Sequence, residues 1–209
     1  MQPVPSAQPQ TRWRRILLVL TILAAALLVL GLFGSGLFAR PPAFHATTYA
    51  PPAPAADFTL TGHTGGTTSM SGLRGSPVLL FFGYTHCPDV CPLTLARLSE
   101  ALREAGVAPG DAHILLVTVD PARDTPAALA AYVRNFGPAV TGLTGSEEEI
   151  RAVMAAYGIH AAAEHGDASM IGHTTAIFGI DREGMIRVLL RPDAPPAELN
   201  DDVATLLEI

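Results

Sequence analysis

The sequence predicts an α/β fold: a mixed central sheet flanked by helices, behind one N-terminal transmembrane helix. Three observations predict it. Ile16–Phe38 (ILLVLTILAAALLVLGLFGSGLF) runs for 23 residues without a charge. Two continuous apolar runs, SPVLLFFGY at Ser76–Tyr84 and HILLVTVD at His113–Asp120, read as strands buried on both faces, and helical segments follow them. Near the C-terminus two more apolar runs flank the turn DREG, and a helical segment closes the chain.

The first element is the apolar run. At ~1.5 Å per residue, a helix of this length crosses a hydrocarbon core of ~30 Å. It is apolar on all faces, unlike a helix that packs one stripe on a core. Arg12, Arg14 and Arg15 precede it, and positive residues stay inside, so residues 1–15 are expected in the cytoplasm and the bulk of the chain outside. Trp13 suits the interface. A cleaved signal peptide shares the basic start, but its apolar core would be ~7–15 residues, and no clean A-x-A site follows. With no cysteine near its end, lipoprotein anchoring is excluded. We therefore expect a single-pass anchor at 16–38. A Pro/Ala-rich linker at 39–55 then holds a domain at 56–209 off the membrane.

Within the domain, DFTL and TTSMSGL flank a Gly-rich turn at His63–Gly66 and predict a short hairpin. The strand Ser76–Tyr84 leads into Pro92–Gly106, where Leu95, Leu98 and Leu102 repeat at helical spacing between a first-turn proline and a glycine stop. After the strand at 113–120, TPAALAAYVRNFG offers an N-cap, a proline and a glycine stop, hence a helix over Thr125–Gly137. Ser146 with Glu149 makes a capping box for a third helix ending near Tyr157-Gly158. TTAIFGI (Thr174–Ile180) and MIRVLLR (Met185–Arg191) form a hairpin, and PPAELNDDVATLLEI a last helix. The order β-α-β-α-α-β-β-α points to a mixed sheet with helices on both faces.

Charge narrows the functions. The chain has 13 basic and 19 acidic residues, net −6. Only four of the basic residues lie at or before Arg40, so the exported part holds nine against all 19 acidic ones, a net −10. Such a domain repels nucleic acid and anionic headgroups. Every basic residue is Arg, which excludes lysine-based chemistry.

Cys87 and Cys91, in THCPDVCP, are the only cysteines. A structural disulfide, a redox pair and a metal site each leave this mark. They sit between a buried strand and a helix N-terminus, where functional groups gather in α/β sheets and where thiol pKa values fall. At i, i+4 both sulfurs can face one side, with room between them for an ion. A disulfide closing so short a loop adds little stability. Two thiolates need a further ligand for most metals, and imidazole suits copper. Of the seven histidines, His45 lies in the linker, His63 in a turn and His113 at a strand start. His160 and His165 lie in an Ala/Gly-rich loop that also holds Met170, and His86 adjoins Cys87. His173 stands immediately before the strand TTAIFGI. In a thioredoxin-like arrangement that loop faces the dithiol, which makes His173 the best candidate for a third ligand.

FFGYTHCPDVCP, VTVDPARDTP and GHTTAIFGIDREG together resemble the Sco/SenC family, over roughly residue 56 to the C-terminus. The resemblance implies a thioredoxin-like fold and a copper metallochaperone anchored in the inner membrane, its soluble domain on the periplasmic side. It implies Cys87, Cys91 and His173 as the copper ligands. The implied partner is cytochrome c oxidase subunit II, whose CuA centre the family helps to assemble. Other periplasmic copper chaperones or a thiol reductant would be further partners. The segment GIHAAAEHGDASMIG departs from the family in lacking aromatic and basic residues.

A thiol–disulfide reductase that keeps a partner's cysteines reduced is the alternative; Cys87 and Cys91 would serve it as a redox pair without His173. Against a general oxidoreductase stand the absence of Cys-x-x-C and of a proline just before TTAIF. Asp89 is read as either tuning the site's charge or capping the helix. Asp120, Arg123 and Asp124 are read as ordering a turn and capping the next helix.

Overall fold

The computed structural model describes residues 10–34, 43–164, 167–173 and 175–209. The chain divides into two compact units, Met1–Pro41 and Pro42–Ile209. The first contains helix α1 (Gln10–Gly34), on which Trp13, Ile16, Leu20, Leu23 and Leu27 are exposed. Among the described residues no helix is long and apolar enough to cross a membrane. The expected span of 16–38 runs past α1 into residues outside the description.

The second unit is built on an eight-stranded mixed sheet. Its strands are β1 (Thr47–Pro54), β2 (Thr59–Gly62), β3 (Thr67–Ser69), β4 (Val78–Gly83), β5 (His113–Thr118), β6 (Val140–Thr144), β9 (Ile177–Ile180) and β10 (Met185–Leu190), in the order β1-β10-β9-β4-β5-β6-β2-β3. A separate two-stranded sheet pairs β7 (Ala161–Glu164) with β8 (Asp167–His173). Among the described residues of this unit the α-helices are α2 (Val90–Glu104), α3 (Pro126–Val133), α4 (Glu147–Ala156) and α5 (Pro196–Leu207).

β4 lies at the centre because all six of its residues are apolar or glycine and all are buried. It runs parallel to β5, Val78 opposite His113 through Gly83 opposite Thr118, and antiparallel to β9. Successive residues of a strand face opposite sides. Phe82 meets the ring of Tyr157, at the end of α4, at 5.6 Å, while Gly83 looks onto Cys91 of α2. Hence α2 covers one face and the end of α4 the other. α2 buries Cys91, Thr94, Leu95, Leu98, Ala101 and Leu102, one helical stripe, and packs beside α5. Thr125 caps α3, and Ser146 with Glu149 forms the expected capping box of α4.

Four expectations are corrected. Residues 47–54, expected within the linker, form an edge strand paired antiparallel to β10, with an irregularity between Thr48 and Ala53 that spans Pro51 and Pro52. Proline has no N–H to donate, and an edge strand tolerates that. The Asp202 carboxylate, 3 % exposed, fastens this end by accepting the N–H groups of His45 (2.6 Å) and Ala46 (3.0 Å). Second, β6 was not anticipated. Its five residues, VTGLT, have a glycine at the centre, and a Cβ at Gly142 would stand 3.0 Å from Leu129 Cβ of α3. Third, the expected loop after Gly158 holds the β7–β8 hairpin. Fourth, β9 begins at Ile177 rather than Thr174, so His173 ends the preceding strand instead of standing in a loop immediately before the next.

Candidate metal centre

The chain leaves β4 at Gly83 and enters α2 at Val90, and both cysteines lie on this connection or just beyond it. The Cys87 N–H donates to the Tyr84 carbonyl at 3.3 Å, turning the chain sharply. α2 begins two residues earlier than expected, so Cys91 falls in its first turn. There its N–H donates to Cys87 Sγ at 3.4 Å. A helix start leaves four N–H groups without intrahelical partners, and here a sulfur takes one of them. Asp89 occupies the N-cap position but makes no side-chain cap bond, which removes the capping reading of that residue.

Both cysteines are free thiols, Cys87 half-buried and Cys91 fully buried. The place for the Cys91 sulfur exists because residue 83 is glycine. A Cβ there would lie 2.9 Å from Cys91 Sγ, 2.9 Å from the Phe81 ring and 3.1 Å from Leu116 Cδ1. Burial pushes the Cys91 thiol well above its ordinary value. Cys87 and Asp124 add to this, and a hydrogen bond from the Tyr84 backbone opposes it. A positive ion between the sulfurs would take the place of that proton. The Tyr132 hydroxyl of α3 is also buried, with no hydrogen-bond partner among the described residues. Its pKa is raised by burial first, then by Cys91, Cys87 and Asp124.

A buried carboxylate holds the connection in place. Asp124 accepts from the Thr85 N–H (3.0 Å), the Thr85 hydroxyl (2.5 Å) and the Thr118 hydroxyl (2.6 Å). It thereby joins the loop before Cys87 to the end of β5. Sequence reading took the DPARDT segment as a turn and a cap only; the Thr residues at the ends of β4 and β5 were the available sign of this reach. Asp120 pairs with Arg123, whose guanidinium stands 6.0 Å from the centre of the Tyr84 ring. His86, exposed, places Nδ1 3.0 Å from Thr85 Oγ1 and 3.8 Å from Asp124 Oδ1. Ligand atoms of His86, Asp120 and Asp124 lie within 4.8 Å of one another. Both carboxylates are already engaged by protein donors, so the grouping reads as a lock on the turn.

The structure thus brings Cys87 and Cys91 together. His173 is the last residue of β8, its backbone opposite Ala161; its side chain lies outside the described residues. The backbone of β8 reaches the cysteine loop, where the Ile171 N–H donates to the Tyr84 hydroxyl at 3.2 Å. Among the other histidines, His160 is exposed just before β7, and His165 lies outside the described residues. His45 stands 3.5 Å from Asp201, His63 accepts the Gly142 N–H at 3.2 Å, and burial lowers the pKa of His113.

The family model described as SCO1/SenC matches residues 46–208. The chain is 40 % identical to the mitochondrial protein SCO2 homolog of Bos taurus over 134 residues, 62 % of this chain and 50 % of that protein. It is 33 % identical to an SCO2-like protein of Rickettsia conorii over 147 residues, 68 % of this chain and 72 % of that protein. The chain therefore spans about half the length of the bovine relative. Among solved structures it is similar to copper-bound ScoI of Arabidopsis thaliana, with TM-score 0.68 and 29 % identity over 75 % of this chain and 99 % of that one. Copper-bound ScoI of Bradyrhizobium japonicum gives TM-score 0.63 and 36 % identity over 73 % and 98 %.

Proposed function

Since the chain belongs to the SCO1/SenC family, we propose that it is a membrane-anchored copper metallochaperone that delivers copper to the CuA site of cytochrome c oxidase subunit II. Cys87, Cys91 and His173 are its ligands. One observation carries this reading most directly: two free thiols, one on the loop leading into α2 and one in its first turn, the latter sealed behind Gly83, with the histidine-bearing strand hydrogen-bonded to the same loop. Thiolates suit Cu(I), and an imidazole suits both oxidation states of copper. Three ligands leave a position at which a partner's ligand can enter, so copper passes by exchange. The copper carried by the solved ScoI relatives supports the same cargo.

In this reading α1 holds the chain in the inner membrane by a single pass, with the soluble unit on the periplasmic side. The charge-free run and the three arginines before it support that placement. Other periplasmic copper chaperones would supply the metal, or a thiol reductant would keep the pair reduced.

The test is copper uptake by the full-length chain, reduced and held in detergent, under anaerobic conditions. One tightly held copper per chain is expected, with binding badly weakened by Cys87→Ser and by His173→Ala. If His173→Ala binds as tightly as wild type while the dithiol reduces a model disulfide, the thiol–disulfide reductase reading replaces this one.

A further inference from the structure

We infer that the Tyr84 hydroxyl is a positioning group for the metal centre, tying the strand that carries His173 to the loop that carries Cys87. The inference rests on the chaperone reading for its purpose, and on described contacts for its geometry.

Tyr84 is the first residue after β4 and is 1 % exposed. Its carbonyl accepts the Cys87 N–H at 3.3 Å, so its backbone belongs to the cysteine loop. Its ring stands 6.0 Å from the Arg123 guanidinium, which the Asp120 carboxylate holds. Its hydroxyl accepts the Ile171 N–H of β8 at 3.2 Å, across 87 residues of sequence. One residue therefore contacts both parts of the proposed site. His173 follows Ile171 by two positions, ~7 Å along a strand.

The β7–β8 pair stands outside the eight-stranded sheet, and two strands alone are marginally stable in water. Its position must come from its attachments. Among the described residues, Ile171 and Ala161 rest partly buried against the core. The hydrogen bond to Tyr84 supplies a direction and fixes which backbone atom of β8 meets the loop. Loss of a partner that orients a metal ligand typically costs 10- to 100-fold in metal affinity.

Tyr84→Phe keeps the ring and removes only the hydroxyl. In the metal-free full-length chain, hydrogen exchange at the Ile171 amide should quicken by about tenfold, one lost hydrogen bond's worth. The Leu79 amide, inside β4, should not change. In the copper-loaded chain, release to a chelator should quicken by about tenfold, with one copper still bound per chain. In the His173→Ala background the same substitution should change release by less than about twofold, because the ligand it positions is gone. A merely structural tyrosine would weaken both backgrounds alike. Unchanged Ile171 exchange overturns the tether. Unchanged copper release, or a full effect retained without His173, overturns the positioning role. A wild-type chain that takes up no copper sinks the chaperone reading and with it the purpose given to Tyr84. The exchange arm, run without metal, still decides whether the tether exists.

Discussion

The two parts of the proposed site are built in opposite ways. Cys87 and Cys91 stand on the junction of a wholly buried strand and α2, backed by Gly83 and locked by three hydrogen bonds into one carboxylate. His173 ends a strand of a two-stranded sheet that reaches the cysteine loop through the Tyr84 hydroxyl. The difference teaches where preorganisation is concentrated. A dithiol held by the core keeps its geometry before metal arrives. On the proposed function, a histidine carried on a strand outside the main sheet is the ligand suited to close on the metal and leave it, as an exchange mechanism requires of one ligand.

That contrast can be broken at several points. The largest effect should come from Cys91→Ser, which should lower copper affinity by more than about 100-fold, beyond the cost of losing an outer partner. Competition with a chelator measures it, and a loss under tenfold would mean the buried sulfur is no ligand. Next is Asp124→Ala, which strands the Thr118 hydroxyl and two donors of Thr85. We expect a loss of about 3 kcal/mol in urea unfolding, since each buried group left unsatisfied costs ~1–3 kcal/mol. If stability and copper affinity both stay put, the cysteine part is not held by this carboxylate.

Gly83→Ala should cost about 1–3 kcal/mol, the usual price of overpacking a core, because its Cβ would press on Cys91 Sγ and the Phe81 ring. A smaller effect concerns pH. Burial raises the Cys91 pKa, so the folded chain holds this proton more tightly than the unfolded one. That stability is complete below the unfolded thiol's ~8.5 and is lost as pH rises toward the folded value. The reduced, metal-free chain should therefore weaken above pH ~8.5, by at most ~1.4 kcal/mol per pH unit, and Cys91→Ser should flatten the slope. The smallest effect should be His160→Ala, which should leave copper affinity within about twofold. A larger change would place a second imidazole at the metal.

What could be read from the sequence follows the same division. β4 and β5 were legible because both are unbroken apolar runs, and α4 because Ser146 and Glu149 make a local signature. β1 was not, since Pro51 and Pro52 argue against a strand until an edge position is known. β6 was not, since close approach to α3 demands a glycine where a strand usually shows a branched residue. β7 and β8, made of AAAE and DASMIGH, carry no strong strand pattern. At the site, Cys87 and Cys91 declared themselves by being the only cysteines. His173 emerged from its place beside a strand and from family resemblance. The role of Tyr84 was invisible and that of Asp124 only partly read, as a turn and a cap, because their contacts lie 87 and 39 residues away.

The unequal exposure of the two sulfurs has one more consequence. Cys87 is half-buried and Cys91 wholly so, which gives the dithiol a single doorway. A disulfide arriving from another protein meets Cys87 first: the Cys87 thiolate attacks it, a mixed disulfide forms there and the arriving protein's other sulfur leaves as a thiolate, before the inner sulfur is touched. Traffic through such a doorway has an order: the outer bond is exchanged first and the inner one last. Chronology is thus written into the packing of one residue behind a glycine.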